Sequence, residues 1–417
     1  MKIALLGYGK EGKSAENYFK SHFPDATFDI FEDFTHDDII QQDFSSYDYV
    51  FRSPSVQPLD LPNETSITKY FFEHCPCTII GVTATKGKGT ICSFIKSLLD
   101  AHRENAYLIG NIGTPALDIL DNLTERSVVI YEMSSFQLWD LNKSPHIAVL
   151  GHLEPDHLNV HTDYKDYLNA KANITSHQTS KDFLVFNQNN TEAVKIAITS
   201  KATKVAYPFN DFDNIEKVIK DSVTLPGRHN QENAMAAIAT AACYYNISPD
   251  EYLREKKNII LAGISSFHGL PHRLEFLREL DGIKIYDDNF ATNLSSTRVA
   301  INAFKGSHLT VIVGGRDKTD YEDLPELYEI LKSPQVKHII LIGESGHELA
   351  KKYRDPRFHP ASSLAEAVNI AVQVTRNDHD RNFDTIVLMS PAAASFDMFK
   401  DVYDRGAQFQ RLVERLN

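Results

Sequence analysis

Thr83-Ala84-Thr85-Lys86-Gly87-Lys88-Gly89-Thr90 is the stretch of this 417-residue chain best equipped for chemistry. The β-branched run Thr78 to Val82 precedes it and the helix-compatible run Ile91 to Leu99 follows, which together read as a strand, phosphate loop and helix. In such a unit glycines turn backbone N–H groups toward an anion and the helix N-terminus adds partial positive charge. Lys88 is placed to reach the β- and γ-phosphates of a nucleoside triphosphate. A hydroxyl after the lysine serves Mg²⁺, and the usual spacing puts it directly after. Here Gly89 intervenes, so either Thr90 takes the metal role one residue late or the loop is altered. Taken alone, the stretch is also compatible with a turn that holds no ligand.

Further candidates lie at other strand ends. A buried-type strand, Ser127 to Ile130, runs into Tyr131-Glu132, and a carboxylate next to a phosphate loop is where a Mg²⁺-binding acid belongs. Another, Ile147 to Leu150, leads to His152-Leu153-Glu154-Pro155-Asp156-His157, in which His157 is either a second metal or phosphate ligand or a packed residue. Asn230 and Asn233 are one turn apart at the start of an Ala-rich helix, where they read an adenine or cap the helix. Gly7-Tyr8-Gly9-Lys10-Glu11-Gly12 is a GxGxxG turn after the strand Lys2 to Leu6, with Glu32 about twenty residues on at the ribose position. That turn equally suits an NAD or FAD enzyme. Thr292, Lys318 and Ser395 follow three late strands and are expected to gather on one sheet edge as a cation-plus-hydroxyl grip for a carboxylate. Lys171, amid small residues of a helical stretch, reads as a solvated charge.

The elements that must position these groups alternate strand and helix throughout, so the fold class is α/β with mostly parallel sheets. The length suggests three domains, divided at 1–77, 78–269 and 270–417. With 42% hydrophobic and 24% charged residues and no run approaching the roughly 18 apolar residues of a membrane span, no membrane association is expected. A short apolar start broken by Gly7 and Lys10 is no signal peptide, which predicts a cytoplasmic protein. The net charge of −13 argues against nucleic-acid binding. Cys75, Cys77, Cys92 and Cys243 form no CxxC or zinc spacing, so neither disulfides nor structural zinc are expected.

Taken in order, these pieces resemble the Mur ligase family over essentially the whole chain, and most closely its D-glutamate-adding members. The most specific match is Glu132-Met133-Ser134-Ser135-Phe136-Gln137-Leu138. Gly110 to Gly113, Glu154 to His157, the Lys171 helix, Arg228-His229-Asn230 with Asn233, Leu270 to Arg273 and Ser390 to Phe399 support it. The resemblance implies a Rossmann-like N-terminal UDP-binding domain, a central P-loop ATPase domain and a Rossmann-like C-terminal domain that docks an amino acid. The implied reaction is ATP-dependent amide formation between UDP-N-acetylmuramoyl-L-alanine and D-glutamate by a monomeric enzyme using two Mg²⁺ ions.

By resemblance, Thr85, Lys86, Gly87, Lys88, Gly89 and Thr90 bind ATP, with Arg273 at the γ-phosphate and Asn230, Asn233 and Asp288 at the adenosine. Thr90 and Glu132 serve one metal, and His157 with a carbamylated Lys171 the second. The UDP-sugar falls to Gly9, Glu32, Asn111, Ser134 and Gln137, and the D-glutamate carboxylates to Thr292, Lys318 and Ser395. Catalysis is assigned to Lys88, His157, Lys171 and Arg273. Two departures stand out. Gly89 replaces a hydroxyl residue, and Phe290 stands where the family pattern has a lysine, a charge that Lys86 or Arg316 is expected to replace. Three other readings compete: a related ligase with another amino acid or acceptor, a nicotinamide oxidoreductase built on Gly7 to Gly12, and a degenerate binding protein that keeps UDP-sugar affinity.

Overall fold

A computed structural model describes residues 1–32, 38–39, 41–59, 61, 63–158, 160–209, 223, 225–317, 320–378 and 382–416. Three sheets are built from short apolar strands. The first holds β1 (Lys2–Leu6), β2 (Thr27–Phe31), β3 (Tyr49–Arg52) and β4 (Glu64–Ser66) in the order β2-β1-β3-β4, all parallel. The helix Lys10–His22 starts inside the glycine turn rather than after it. A Cβ on Gly12 would lie 2.6 Å from the Gly7 carbonyl oxygen, so glycine there is what lets helix and strand exit approach.

The second sheet comprises β5 (Thr78–Thr83), β6 (Asn105–Gly110), β7 (Ser127–Glu132), β8 (Ile147–Leu150), β9 (Phe183–Asn187) and β10 (Thr203–Tyr207). Its order, β10-β9-β8-β5-β7-β6, puts β8 on one side of β5 and β7 on the other, with every pairing parallel. The loop after β5 is therefore flanked by the exits of β7 and β8, the crevice where open parallel sheets take ligands.

The third sheet has β11 (Glu275–Leu280), β12 (Ile283–Asp287), β13 (His308–Val313), β14 (Val336–Leu341), β15 (Phe358–Pro360) and β16 (Thr385–Met389) in the order β11-β12-β16-β13-β14-β15. Its one antiparallel pair is the β11/β12 hairpin expected from Asp281-Gly282, whose positive φ values of 55° and 82° suit a two-residue turn. In β13, Leu309, Val311 and Val313 enter one apolar cluster while Ile312 enters another. Both faces are thus covered, as a parallel sheet requires.

The chain divides into two compact units, Met1–Val223 with His229–Phe267, and Thr224–Arg228 with His268–Asn417. Within the first, a single apolar cluster links the first two sheets, from Ile3 and Phe19 to Val129 and Tyr131, with Phe71 edge-on to Tyr131 at 5.7 Å. No helix among the described residues is long and apolar enough to cross a membrane.

Candidate functional site

The phosphate loop is shaped by Gly87, whose φ of +85° precedes the helix Lys88–Ala101. A Cβ there would lie 2.8 Å from Asn233 Oδ1, so Asn233 rests on the loop, with its own Nδ2 3.4 Å from Asn230 Oδ1. The helix carrying both amides begins at Arg228, which puts Asn230 within its first turn rather than at its cap. Gly89 is buried and Thr90 half-buried in the first turn of the phosphate-loop helix. Lys88 Nζ donates to the carbonyls of Ala84 at 2.8 Å and Thr85 at 3.1 Å.

Lys171 corrects its expectation as a solvated charge: it is 1% exposed, because its helix, Tyr164–Ser176, turns that face into the protein. Its Nζ donates to Thr83 Oγ1 at 3.2 Å and, at 2.9 Å, to the same Ala84 carbonyl that Lys88 uses. Burial and the Lys88 ammonium hold its pKa well below the lysine range. Thr85 spends its polar groups inside the protein, its N–H on His152 O at 2.7 Å and its hydroxyl beside Tyr167 OH at 2.8 Å and Glu154 N at 3.0 Å. That leaves it anchoring the 152–154 segment. Lys86 is paired with Glu154 at 2.6 Å.

A cavity of about 270 Å³ opens beside these lysines and is also lined by Asn111, Ser134, Gln137 and His157. Of its lining residues, Lys88 and His157 were singled out from the residues themselves, and Asn111, Ser134, Gln137 and Lys171 by the resemblance. Sequence reasoning did not single out Glu11, Asp156 and Tyr167, which line it too. Ser134 and Gln137 form a reciprocal cap on the short helix Ser135–Leu138, and Gln137 Nε2 donates to Glu11 Oε1 at 2.9 Å. Burial pushes the Glu11 carboxyl up to about 7. His157 is exposed with φ 54°, while His161, also overlooked, is buried with its ring nitrogens 3.0 Å from Asp166 Oδ2 and Ser135 Oγ. Its only sequence signal was its nearness to the His152–His157 run. Gly9, at the N-terminus of the helix Lys10–His22, and the exposed Glu32 do not line the cavity.

In the second unit, adjacent parallel strands β12, β16 and β13 bring their exits side by side. Asp288 is buried, accepting from Ser390 Oγ at 2.8 Å and Leu274 N at 3.2 Å, and burial raises its carboxyl to about 7. The Arg273 guanidinium lies 5.7 Å from the centre of the Phe290 ring, a cation–π contact at the position of the missing lysine. Thr292 N donates to Phe290 O at 2.9 Å. Ser395 Oγ is buried and, among the described residues, has no hydrogen-bond partner. Lys318 lies outside the described residues. Arg316 is paired with Glu344 at 2.6 Å, and Lys86 with Glu154 at 2.6 Å.

The Thr90 hydroxyl and the Glu132 carboxylate, 4% exposed at the end of β7, are hard oxygen ligands of the kind Mg²⁺ takes. Lys171 as an ammonium would repel a cation, whereas a carbamate on it would offer two oxygens beside Lys88.

The Mur ligase middle domain family matches residues 82–241, and the Mur ligase, glutamate ligase domain family matches residues 272–392. Among curated proteins, the UDP-N-acetylmuramoylalanine--D-glutamate ligase of Acetivibrio thermocellus is 32% identical over 410 residues, covering 89% of this chain and 83% of the relative. The protein of the same name from Pediococcus pentosaceus is 34% identical over 359 residues, covering 81% and 74%. Among solved structures, UDP-N-acetylmuramate-alanine ligase MurC from Thermotoga maritima superposes with a TM-score of 0.59 at 16% identity over 99% of both chains. A MurF structure from Acinetobacter baumannii gives 0.60 at 14% identity over 87% of this chain and 85% of its own. The structural matches carry the fold and the curated relatives carry the kinship: the chain belongs to the Mur ligase family.

Proposed function

We propose that this protein is an ATP-dependent ligase that adds D-glutamate to UDP-N-acetylmuramoyl-L-alanine through an acyl phosphate. The observation that carries the reading is the convergence of Lys88 and Lys171 on the Ala84 carbonyl, at a cavity also lined by Asn111, Ser134 and Gln137. The curated relatives, named for D-glutamate ligation, supply the substrates. The three segments 1–77, 78–269 and 270–417 are assigned to UDP-sugar, ATP and amino acid.

A carboxylate is a poor electrophile until phosphorylation gives it a leaving group. Its oxygen takes the γ-phosphoryl of ATP and ADP departs; the amine then attacks the carbonyl carbon, inorganic phosphate leaves and the nitrogen loses a proton. Lys88, whose ammonium donates to the Ala84 and Thr85 carbonyls at the head of the phosphate-loop helix, offers its charge to the γ-phosphate and offsets charge in the in-line transfer. Asn233, resting on Gly87, fixes the loop's reach and with Asn230 serves the adenosine. Asn111, Ser134 and Gln137 orient the UDP-sugar. Thr90 and Glu132 would hold one Mg²⁺ and His157 a second, and bound there the ions would supply further neutralisation of the phosphates. Burial disfavours the charged form of Lys171, and its amine would take up CO₂ as a carbamate whose oxygens would help hold that second ion. Arg273 is assigned to the γ-phosphate, Asp288 to the adenosine, and Thr292, Ser395 and Lys318 to the amino-acid carboxylates.

The test is phosphate release from ATP with Mg²⁺, with and without UDP-N-acetylmuramoyl-L-alanine, across D-glutamate, L-glutamate and other amino acids. Release that needs both the nucleotide sugar and D-glutamate is expected. Phe290 favours one second reading, the same chemistry with another amino acid, and saturation by that amino acid alone would select it. No release with any of them would end both.

A further inference from the structure

Arg405, on the helix Val402–Glu414, is 0% exposed, and the hydrogen bonds it makes among the described residues all go to neutral acceptors. Nε donates to Asn289 Oδ1 at 2.5 Å and Nη2 to Asn289 O at 3.0 Å, both on the exit of β12. Nη1 donates to Ala393 O at 3.1 Å and Ala394 O at 3.2 Å on the exit of β16. Ala394 O also accepts from Arg316 N at 2.8 Å, which ties in the exit of β13. Gly315, on that same exit, leaves no room for a side chain: a Cβ there would collide with Ala394 O and lie 3.2 Å from Arg405 Nη1. One guanidinium thus joins exits that are far apart in sequence. Burial lowers its pKa only to about 10, and Asp397 and Asp287 sustain the charge, so it is a cation at neutral pH.

These exits carry the residues assigned to the amino acid. Thr292 is three positions past Asn289, and Ser395, with its unpartnered buried hydroxyl, directly follows Ala394. We infer that Arg405 is the positioning residue of the acceptor amino-acid site, setting the spacing of the three strand exits without touching substrate. The inference rests on the acceptor reading given above. A planar fork bonding two exits along three directions does this, whereas a lysine ammonium offers one point of attachment.

Arg405→Lys keeps the charge and removes the fork. The expected result is a loss of about 10²-fold in kcat/KM for D-glutamate, carried by its KM, because small misplacements of binding groups are felt this strongly. The KM values for ATP and UDP-N-acetylmuramoyl-L-alanine should stay within about twofold and the thermal midpoint within a few degrees, consistent with an effect confined to one site. Asn289→Ser removes the side-chain acceptor but keeps the backbone one, and should shift the D-glutamate KM in the same direction by less. If Arg405→Lys does not fold, Asn289→Ser is read by the same criteria. An unchanged D-glutamate KM, or a parallel fall of all three substrates' parameters with the midpoint, overturns the inference. Failure of the ligase reading shows separately, as wild-type protein that releases no phosphate with D-glutamate. If another amino acid saturates it, the comparison is made with that one, and if none does the inference falls with the reading.

Discussion

Lys88 and Lys171 in the first unit and Arg405 in the second are held in opposite ways. The two lysines compete for one carbonyl, Ala84 O, and one of them is buried deeply enough to disfavour its charge. Arg405 is buried too, yet it bonds four neutral acceptors and keeps its proton. A cation that donates to carbonyls of its own phosphate loop, as Lys88 does, stands where phosphate oxygens would meet it. A cation whose bonds span two strand exits cannot leave without loosening them. The first arrangement places charge where a ligand's charge will be; the second uses charge to fix a shape.

The sharpest way to break this contrast is Lys88→Ala, expected to lower kcat for phosphate release about 10³-fold while leaving thermal unfolding close to wild type. Next is Lys171→Met, which should lower activity about 10²-fold and yet raise the unfolding midpoint at neutral pH in CO₂-depleted buffer, since it removes a buried amine whose protonation folding opposes. A lowered midpoint would mean that the lysine is held as a satisfied structural cation after all.

The contrast extends to the acids, because among the described residues each unit holds one carboxyl that burial raises to about 7, Glu11 and Asp288. Between the ordinary carboxyl pKa and 7 the folded state binds more protons than the unfolded one. Stability therefore falls as pH rises through that window, and the loss is complete above 7. Glu11→Gln should flatten this slope and leave the variant more stable than wild type at pH 8, by about 3 kcal/mol at most. Urea unfolding at pH 5 and pH 8 reads it, and an unchanged slope would show that Glu11 is ionised in the fold. The smallest effect expected is that of Phe290→Ala, which removes the ring beneath Arg273. A cation–π contact of about 0.5–1 kcal/mol predicts a change of about two- to fivefold in the KM for ATP, measured by phosphate release.

Much of the first unit was legible because its chemistry is local. Strand, glycine loop and helix occur within about twenty-five residues of sequence, and β5 to the helix Lys88–Ala101 folds as that order suggests. Asn233 was found by its spacing from Asn230, yet its rest on Gly87 was not readable, since the two positions are distant in sequence. Glu11 was hidden by its own motif: within a glycine turn it looks solvent-facing, and its raised pKa comes from burial, which the hydrogen bond from Gln137 only partly offsets. Lys171 misled for the same reason, because a lysine among alanines carries no sign of which helix face will be covered.

By itself the sequence determined the α/β alternation, the phosphate loop, the hairpin at Asp281-Gly282 and the kinship carried by Glu132 to Leu138. These depend on periodicity, turn chemistry and residue order, which are properties of short stretches of chain. Only the tertiary structure decided that two lysines meet at Ala84, that Glu11 faces a cavity, and that Arg405 binds separate strand exits together. Desolvation and hydrogen-bond sharing arise when segments far apart in the chain exclude water from one another, and no local pattern encodes that encounter.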